Sequence, residues 1–422
     1  MGTAITGILL IATFIGFVVY AMKGGNLTVG FLVMAVAWTI IGLVPLNVAV
    51  KEIFTDPVLG YGKTALYIIL GSWFGRVLVD TGIAGSISRR TQKIGKNAPV
   101  FATILIAWIT ALIFSSAYGV GSAIAVGVIL FPIMFSMGVP RRVAVSVFTL
   151  SIGAAMYINP VLFNQFTVFF KGVKWNDHYL RFGFVAAAIQ MIIVMAMILF
   201  YARKIRHGQP EMIAEEEGEV QEVHWITYIL PVVPVAMSIF FKWDAIPALL
   251  LATLLAFAMT GNMKTYKGFV TMMNDTAKTA IGDIAGLLIM LLVLTMFQSA
   301  AVHTMGQFTS LFKSIIPNNR FLLVIIMMVI APLSYFRGPL MLYGAGAATA
   351  AIFTATGMFP PYFLYGLLVV PTMMAVSADI TQSWNLWSVE YAGLDTKTFL
   401  LTGLPWAWIA TAFNLVVAYV LM

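Results

Sequence analysis

Apolar runs of about twenty residues recur along nearly the whole chain between short polar turns, and each is long enough to cross the roughly 30 Å hydrocarbon core of a bilayer as a helix. They fall near residues 3–22, 28–46, 63–86, 141–170 and 179–202, and again near 225–241, 246–262, 280–302, 361–389 and 398–421. Before the fourth run of each set stands a kinked pair, 98–114 with 122–137 and 321–333 with 340–356. The kinks are polar and glycine-bearing, SSAYGVGS at 115–122 and SYFRGP at 334–339. Non-helical backbone at membrane depth persists only where protein or a water-filled cavity satisfies it, so a duplicated pair of such breaks points to a binding site.

The two sets echo each other at nearly constant offset. Phe74 and Thr81 match Phe297 and Thr304, Gly138 and Pro140 match Gly357 and Pro360, Asn159 falls opposite Asp379, and Gly183 opposite Gly403, with offsets of about 219 to 223. Each kinked pair is too long for one span and reads as a re-entrant hairpin, so each half crosses five times and the halves have opposite orientation. The expected architecture is an all-α integral membrane protein of about ten transmembrane helices plus two re-entrant hairpins in two inverted-topology repeats. The first repeat is 1–202 with hairpin 98–137, and the second is 225–422 with hairpin 321–357. A linker at 203–224, carrying Glu215, Glu216 and Glu217, joins them.

Composition agrees with the pattern: 61% of the 422 residues are hydrophobic and 9% charged, far from the roughly 25% charged of soluble proteins. The net charge of +8 follows topology rather than nucleic-acid binding. Lys23, Arg89, Arg90, Lys93, Lys96, Arg141, Arg142, Arg203, Lys204, Arg206, Lys264, Lys267, Lys278 and Lys397 fall on one face. Lys51, Lys63, Lys171, Lys242 and Lys313 are among the fewer basic residues on the other. The richer face is assigned to the cytoplasm of a cell (inner or plasma) membrane, with the linker inside and both termini outside. The first run has no basic stretch before it and is expected to stay as a span rather than be cleaved. The absence of cysteine excludes disulfides and thiolate chemistry, and the four histidines lack metal-ligand spacing. No Ser–His pair, facing aspartates or H-E-x-x-H is visible, so an enzyme is not expected and no catalytic residue is assigned.

Polar residues at mid-depth supply the candidate site. The runs after the hairpins are themselves interrupted, at 157–160 (YINP) and 377–383 (SADITQS). Pro160 removes a backbone donor, so a helix break before it is expected. Freed carbonyls with Ser, Thr and Asn oxygens suit a small cation, and helix N-termini beyond the tips suit an anion. Arg337, in a Gly-Pro-flanked tip, can hold a carboxylate bidentately, or it can pair with Asp379 purely to hold the hairpin; both readings stand at this level. The assigned substrate residues are Arg337, Ser116, Gly119, Ser122, Gly338, Asn159 and Thr381. The assigned cation-coupling residues are Ser115, Gly121, Asn159, Asn164, Ser334, Asp379 and Ser383. Arg76 and Asp80, four apart, read as an intrahelical ion pair, and His303 as interfacial.

The stretch 70–76 (LGSWFGR), Asp80 and Gly82, the hairpin at 115–122 with the run to Gly138-Val139-Pro140, and the second hairpin resemble the ion transporter superfamily. Within it they resemble the branch of citrate–metal symporters and gluconate permeases. A Ser-Asn-Thr tip motif of the dicarboxylate/sodium branch is not present. The resemblance implies a homodimer whose hairpins and broken helices slide across the bilayer as an elevator, binding substrate and coupling ion at the tips and breaks. The expectation is a secondary transporter of a small organic anion, a carboxylate, by Na+ or H+ symport, without a further cofactor. A cation/proton antiporter or inorganic oxyanion efflux carrier on the same scaffold is the alternative.

Overall fold

A computed structural model describes residues 3–23, 25–86, 98–209, 223–305, 308 and 313–422, and among these the secondary structure is helical with no strand. Arg89, Arg90, Lys93, Lys96 and the acidic run Glu215 to Glu217 lie outside the described residues. The principal helices of the first half are α1 (Thr3–Met22), α2 (Leu27–Ile41), α3 (Gly62–Asp80), α4 (Pro99–Phe114), α5 (Val120–Ser136), α6 (Arg141–Met156), α7 (Pro160–Phe166) and α8 (Asp177–Phe200). Those of the second half are α9 (Val233–Phe240), α10 (Ala245–Met259), α11 (Tyr266–Met305), α12 (Arg320–Ile330), α13 (Gly346–Thr356), α14 (Pro361–Ala378), α15 (Ser383–Tyr391) and α16 (Thr396–Leu421).

These helices follow the apolar runs closely, because in a bilayer every backbone group must be paired internally and a helix does this locally. Two departures have clear causes. α11 does not start at 280 but runs 40 residues from Tyr266, because the stretch 266–279 has helix-compatible residues and no Gly-Pro breaker. The expected count of about ten spans is also not met as uninterrupted helices. Among the described residues five helices are long and apolar enough to cross a membrane, or six with the pair α6 and α7 counted as one. α2 and α10 stop at 15 residues each, and the kinks shorten α4, α5, α12 and α13.

α6 and α14 occupy the centre. Buried residues occur on every side of both, as a helix in a bundle interior requires, and the two pack on each other. The neighbour relations of the first half recur in the second. α4 packs on α8 as α12 does on α16; α5 packs on α3 and α6 as α13 does on α11 and α14; α8 packs on α6 as α16 does on α14. Lipid-facing positions such as Ile8, Ile11, Leu199, Phe200, Val329 and Val420 are exposed apolar side chains at the periphery. The 70–76 stretch ties α3 to α11, since Ser72 Oγ donates to Ala280 O at 3.2 Å and Trp73 Nε1 to Thr276 Oγ1 at 2.9 Å. Arg76 Nε meets Asp80 Oδ2 at 2.9 Å within α3, and His303 Nε2 lies 3.3 Å from Glu52 Oε2 at the surface.

Candidate functional site

Each half builds its site from one tip and one broken helix, joined by the same position. At the first break α6 and α7 are bent by 69°. Asn159 caps α7, its Oδ1 accepting from Val161 N and Leu162 N at 2.9 and 3.0 Å, with Pro160 at the first helical position, where a missing N–H costs nothing. Its Nδ2 donates to Phe114 O and Ala117 O of the first tip, both at 2.9 Å. At the second break Asp379 accepts from the backbone N of Phe336 in the second tip at 2.9 Å, and from Thr381 N and Oγ1. The two residues that echo each other in sequence thus staple break to tip with opposite polarity: an amide donates to carbonyls in one half, and a carboxylate accepts from N–H in the other.

The tips differ in detail. The first is short: α4 ends at Phe114, Ser115 caps it, and α5 begins at Val120, placing Gly121 in its first turn. Gly119 makes the reversal at φ 99° and ψ 158°, a region essentially open to glycine alone, and a Cβ there would lie 3.1 Å from Ser72 Oγ. Gly119→Ala is expected to cost about 1–3 kcal/mol, read as lost stability in detergent unfolding; unchanged stability would show that the tip relaxes freely. The second tip is longer than expected. After Phe336 and Arg337, both at positive φ, the chain makes turns through 345, and α13 begins at Gly346 rather than near 340. Thr372 of α14 holds those turns, accepting from Leu342 N at 3.0 Å and donating to Leu340 O at 3.1 Å. An anion there therefore meets turn amides rather than a helix N-terminus.

Arg337 does not make a direct ion pair with Asp379; among the described residues no carboxylate lies within 4.0 Å of its guanidinium. Its Nη2 donates to Thr381 O at 2.7 Å, and the side chain is partly buried, beside Asp379, Tyr118 and Tyr343. Asp379 is fully buried and already has three hydrogen-bond donors. Most of the guanidinium fork is thus left for something else.

A second set of contacts brings the halves together. Gln165 on α7 accepts at Oε1 from Tyr118 OH of the first tip at 3.1 Å and from Tyr343 OH of the second at 2.8 Å. Tyr118 also stacks edge-on against Trp384 of the second break at 6.4 Å. Both tips and both breaks therefore converge. Around them stand buried polar atoms with no partner among the described residues: Ser116 Oγ, Ser334 Oγ, Gln165 Nε2, Tyr61 OH, Gln382 Oε1 and Asn385 Oδ1. Buried groups of this kind cost about 1–3 kcal/mol each unless met, so their concentration here marks a site that water, ion or substrate completes.

The expected residues divide. Arg337, Ser116, Ser334, Asp379, Asn159 and Thr381 are at or beside the convergence, as is the backbone of Gly119 and Gly338. Ser115 and Ser122 return their hydroxyls to Leu112 O and Tyr118 O. Ser383 is exposed, and Asn164 donates to Pro160 O on the far side of α7. The freed carbonyls are also largely taken: Tyr157 O accepts from Tyr179 OH at 2.7 Å, and Val376 O from Trp384 Nε1 and Asn385 Nδ2. Gln165, Tyr61, Tyr343, Gln382 and Asn385 are not among the residues that sequence selects. Gln165, Gln382 and Asn385 lie in or beside the polar interruptions, which is the signal that could find them; Tyr61 and Tyr343 carry none.

No protein-family model and no curated protein matches the chain. Among solved structures the chain is similar to the crystal structure of the Alcanivorax borkumensis YdaH transporter, reported to have an unusual topology. The TM-score is 0.62 with 11% identity, over 94% of this chain and 97% of that one. The fold thus resembles that of the YdaH transporter along nearly its full length. At this identity the likeness is one of architecture.

Proposed function

We propose that the protein is a secondary active transporter of a small organic carboxylate, driven by Na+ or H+ symport. The observation that carries this reading is the meeting of both tips and both breaks around a guanidinium with a single hydrogen bond among the described residues. A charged side chain within a membrane bundle is expensive, and one left largely unpaired calls for an anionic ligand. The free fork of Arg337, Gln165 Nε2 and Tyr61 OH offer donors to a carboxylate. Ser334 Oγ, Gln382 Oε1 and Asn385 Oδ1, near the charge of Asp379, offer the hard oxygens that suit a small cation. The recurrence of packing between halves supports an inverted repeat, and the family resemblance adds the citrate and gluconate branch, a homodimer and elevator movement. The distribution of lysine and arginine supports a cytoplasmic linker and external termini.

Coupling has a thermodynamic signature. If cation and anion stabilise the same closed arrangement, each must tighten the other's binding by the same factor, about 5–150-fold for typical coupling energies. The test is a screen of mono-, di- and tricarboxylates by thermal shift with sodium and pH varied, followed by uptake into proteoliposomes. A carboxylate whose affinity rises with sodium or with protons is the expected result. Affinity indifferent to both would remove symport, and proton–sodium exchange without any organic anion would replace it with antiport.

A further inference from the structure

An outer cavity of about 390 Å³ lies between Lys63 and Tyr67 of α3, Pro160, Phe163, Asn164 and Thr167 of α7, and the turns at 173–175 and 242–245. It sits on the face that charge assigns to the exterior, where basic residues are otherwise sparse, yet Lys63, Lys174 and Lys242 converge on it. One acid, Asp244, lines it and a second, Asp177, lies just outside against Lys242; both are satisfied. Asp244 lies 3.1 Å from Lys63 and accepts from Tyr67 OH at 2.7 and 2.8 Å; Asp177 lies 2.8 Å from Lys242. Burial pushes the Asp244 carboxyl up, but the Ile246 N–H, Tyr67 and Lys63 outweigh it and the net direction is down. Both acids are charged, each neutralising one lysine. Lys174 has no carboxylate partner among the described residues.

Two donors complete the wall. Ser238 is 4% exposed and its hydroxyl has no partner among the described residues; the Trp175 indole N–H is buried and has none among them either. Indole N–H can only donate, so what completes it must be an acceptor. Helix α7 divides this cavity from the central site: Asn164 lines the cavity, while Gln165 faces Tyr118 and Tyr343.

We propose that Lys174, Trp175 and Ser238, with Lys63 and Lys242 at the rim, form a peripheral anion site that captures a small carboxylate before it reaches the tips. The capture role rests on the transport reading; binding at the site does not. The test uses the full chain in phosphatidylcholine nanodiscs at low salt, titrated with succinate, citrate and inorganic phosphate. Tryptophan fluorescence of the parent protein is compared with that of Trp175→Phe, so that the difference reports Trp175.

A saturable, Trp175-dependent change is expected with the carboxylates. It should weaken about tenfold in the double variant Lys174→Gln, Ser238→Ala and persist in Arg337→Ala. No Trp175-dependent change, a change lost equally in Arg337→Ala, or one that appears only with phosphatidylglycerol in the disc would each overturn the proposal. Binding with these properties and no carboxylate uptake by liposomes would sink the transport reading while leaving this site standing.

Discussion

Arg337→Ala abolishes high-affinity carboxylate binding and uptake: this is the largest expected effect. Truncating one member of a desolvated, charge-assisted pair costs about 2–5 kcal/mol or more, hence at least about thirtyfold in affinity. Among the described residues the Arg337 guanidinium makes one hydrogen bond, to Thr381 O, and has no carboxylate within ion-pair distance, so its energetic role is largely open to a ligand. Arg337→Lys separates charge from geometry. An ammonium keeps the positive field but loses the planar fork, so binding should fall to an intermediate level. Size-exclusion behaviour and thermal stability without ligand control for the lost Thr381 contact. Unchanged substrate affinity in a well-folded Arg337→Ala protein would refute the assignment.

Asn159→Asp should be the most damaging substitution for the fold of the first half. Aspartate is as good a helix cap as asparagine, so the bonds from Val161 N and Leu162 N survive. The tip does not fare as well. Nδ2 donates to Phe114 O and Ala117 O, and a carboxylate oxygen in its place faces two buried carbonyls with no proton to share. Two lost hydrogen bonds with their acceptors left buried predict about 3 kcal/mol or more of destabilisation. Asp379→Asn should be milder, because the amide oxygen still accepts from Phe336 N or Thr381 N, though not from both donor groups at once. Unfolding in detergent reads both. Equal losses in the two variants would mean that the opposite polarities of the staples carry no weight.

Much of this was legible without coordinates. The positions of the principal helices followed from apolar length, though not the number of spans, the kinks from Ser-Gly and Gly-Pro clusters, and the break before Pro160 from proline's missing donor. The pairing of Asn159 with Asp379 was visible as an offset, although nothing in it revealed what the two residues do. Ser115 and Ser122 show the limit of counting polar groups. A hydroxyl near a tip either faces the site or bonds back to its own helix, and the choice depends on rotamer and neighbours. Ser383 and Asn164 fall away from the site for a related reason, since a one-residue step in a helix turns a side chain by about a quarter of the circumference.

By itself the sequence determined that the chain is a polytopic helical membrane protein with two polar, kinked regions at corresponding places, because length and polarity against a bilayer are local properties. Only the tertiary structure decided which polar atoms meet. Gln165 joins tyrosines 47 and 178 residues away, and Arg337 reaches a carbonyl 44 residues on. Such contacts depend on how α6 and α14 cross and how far each tip unwinds. Those are outcomes of packing, and no window of sequence contains them.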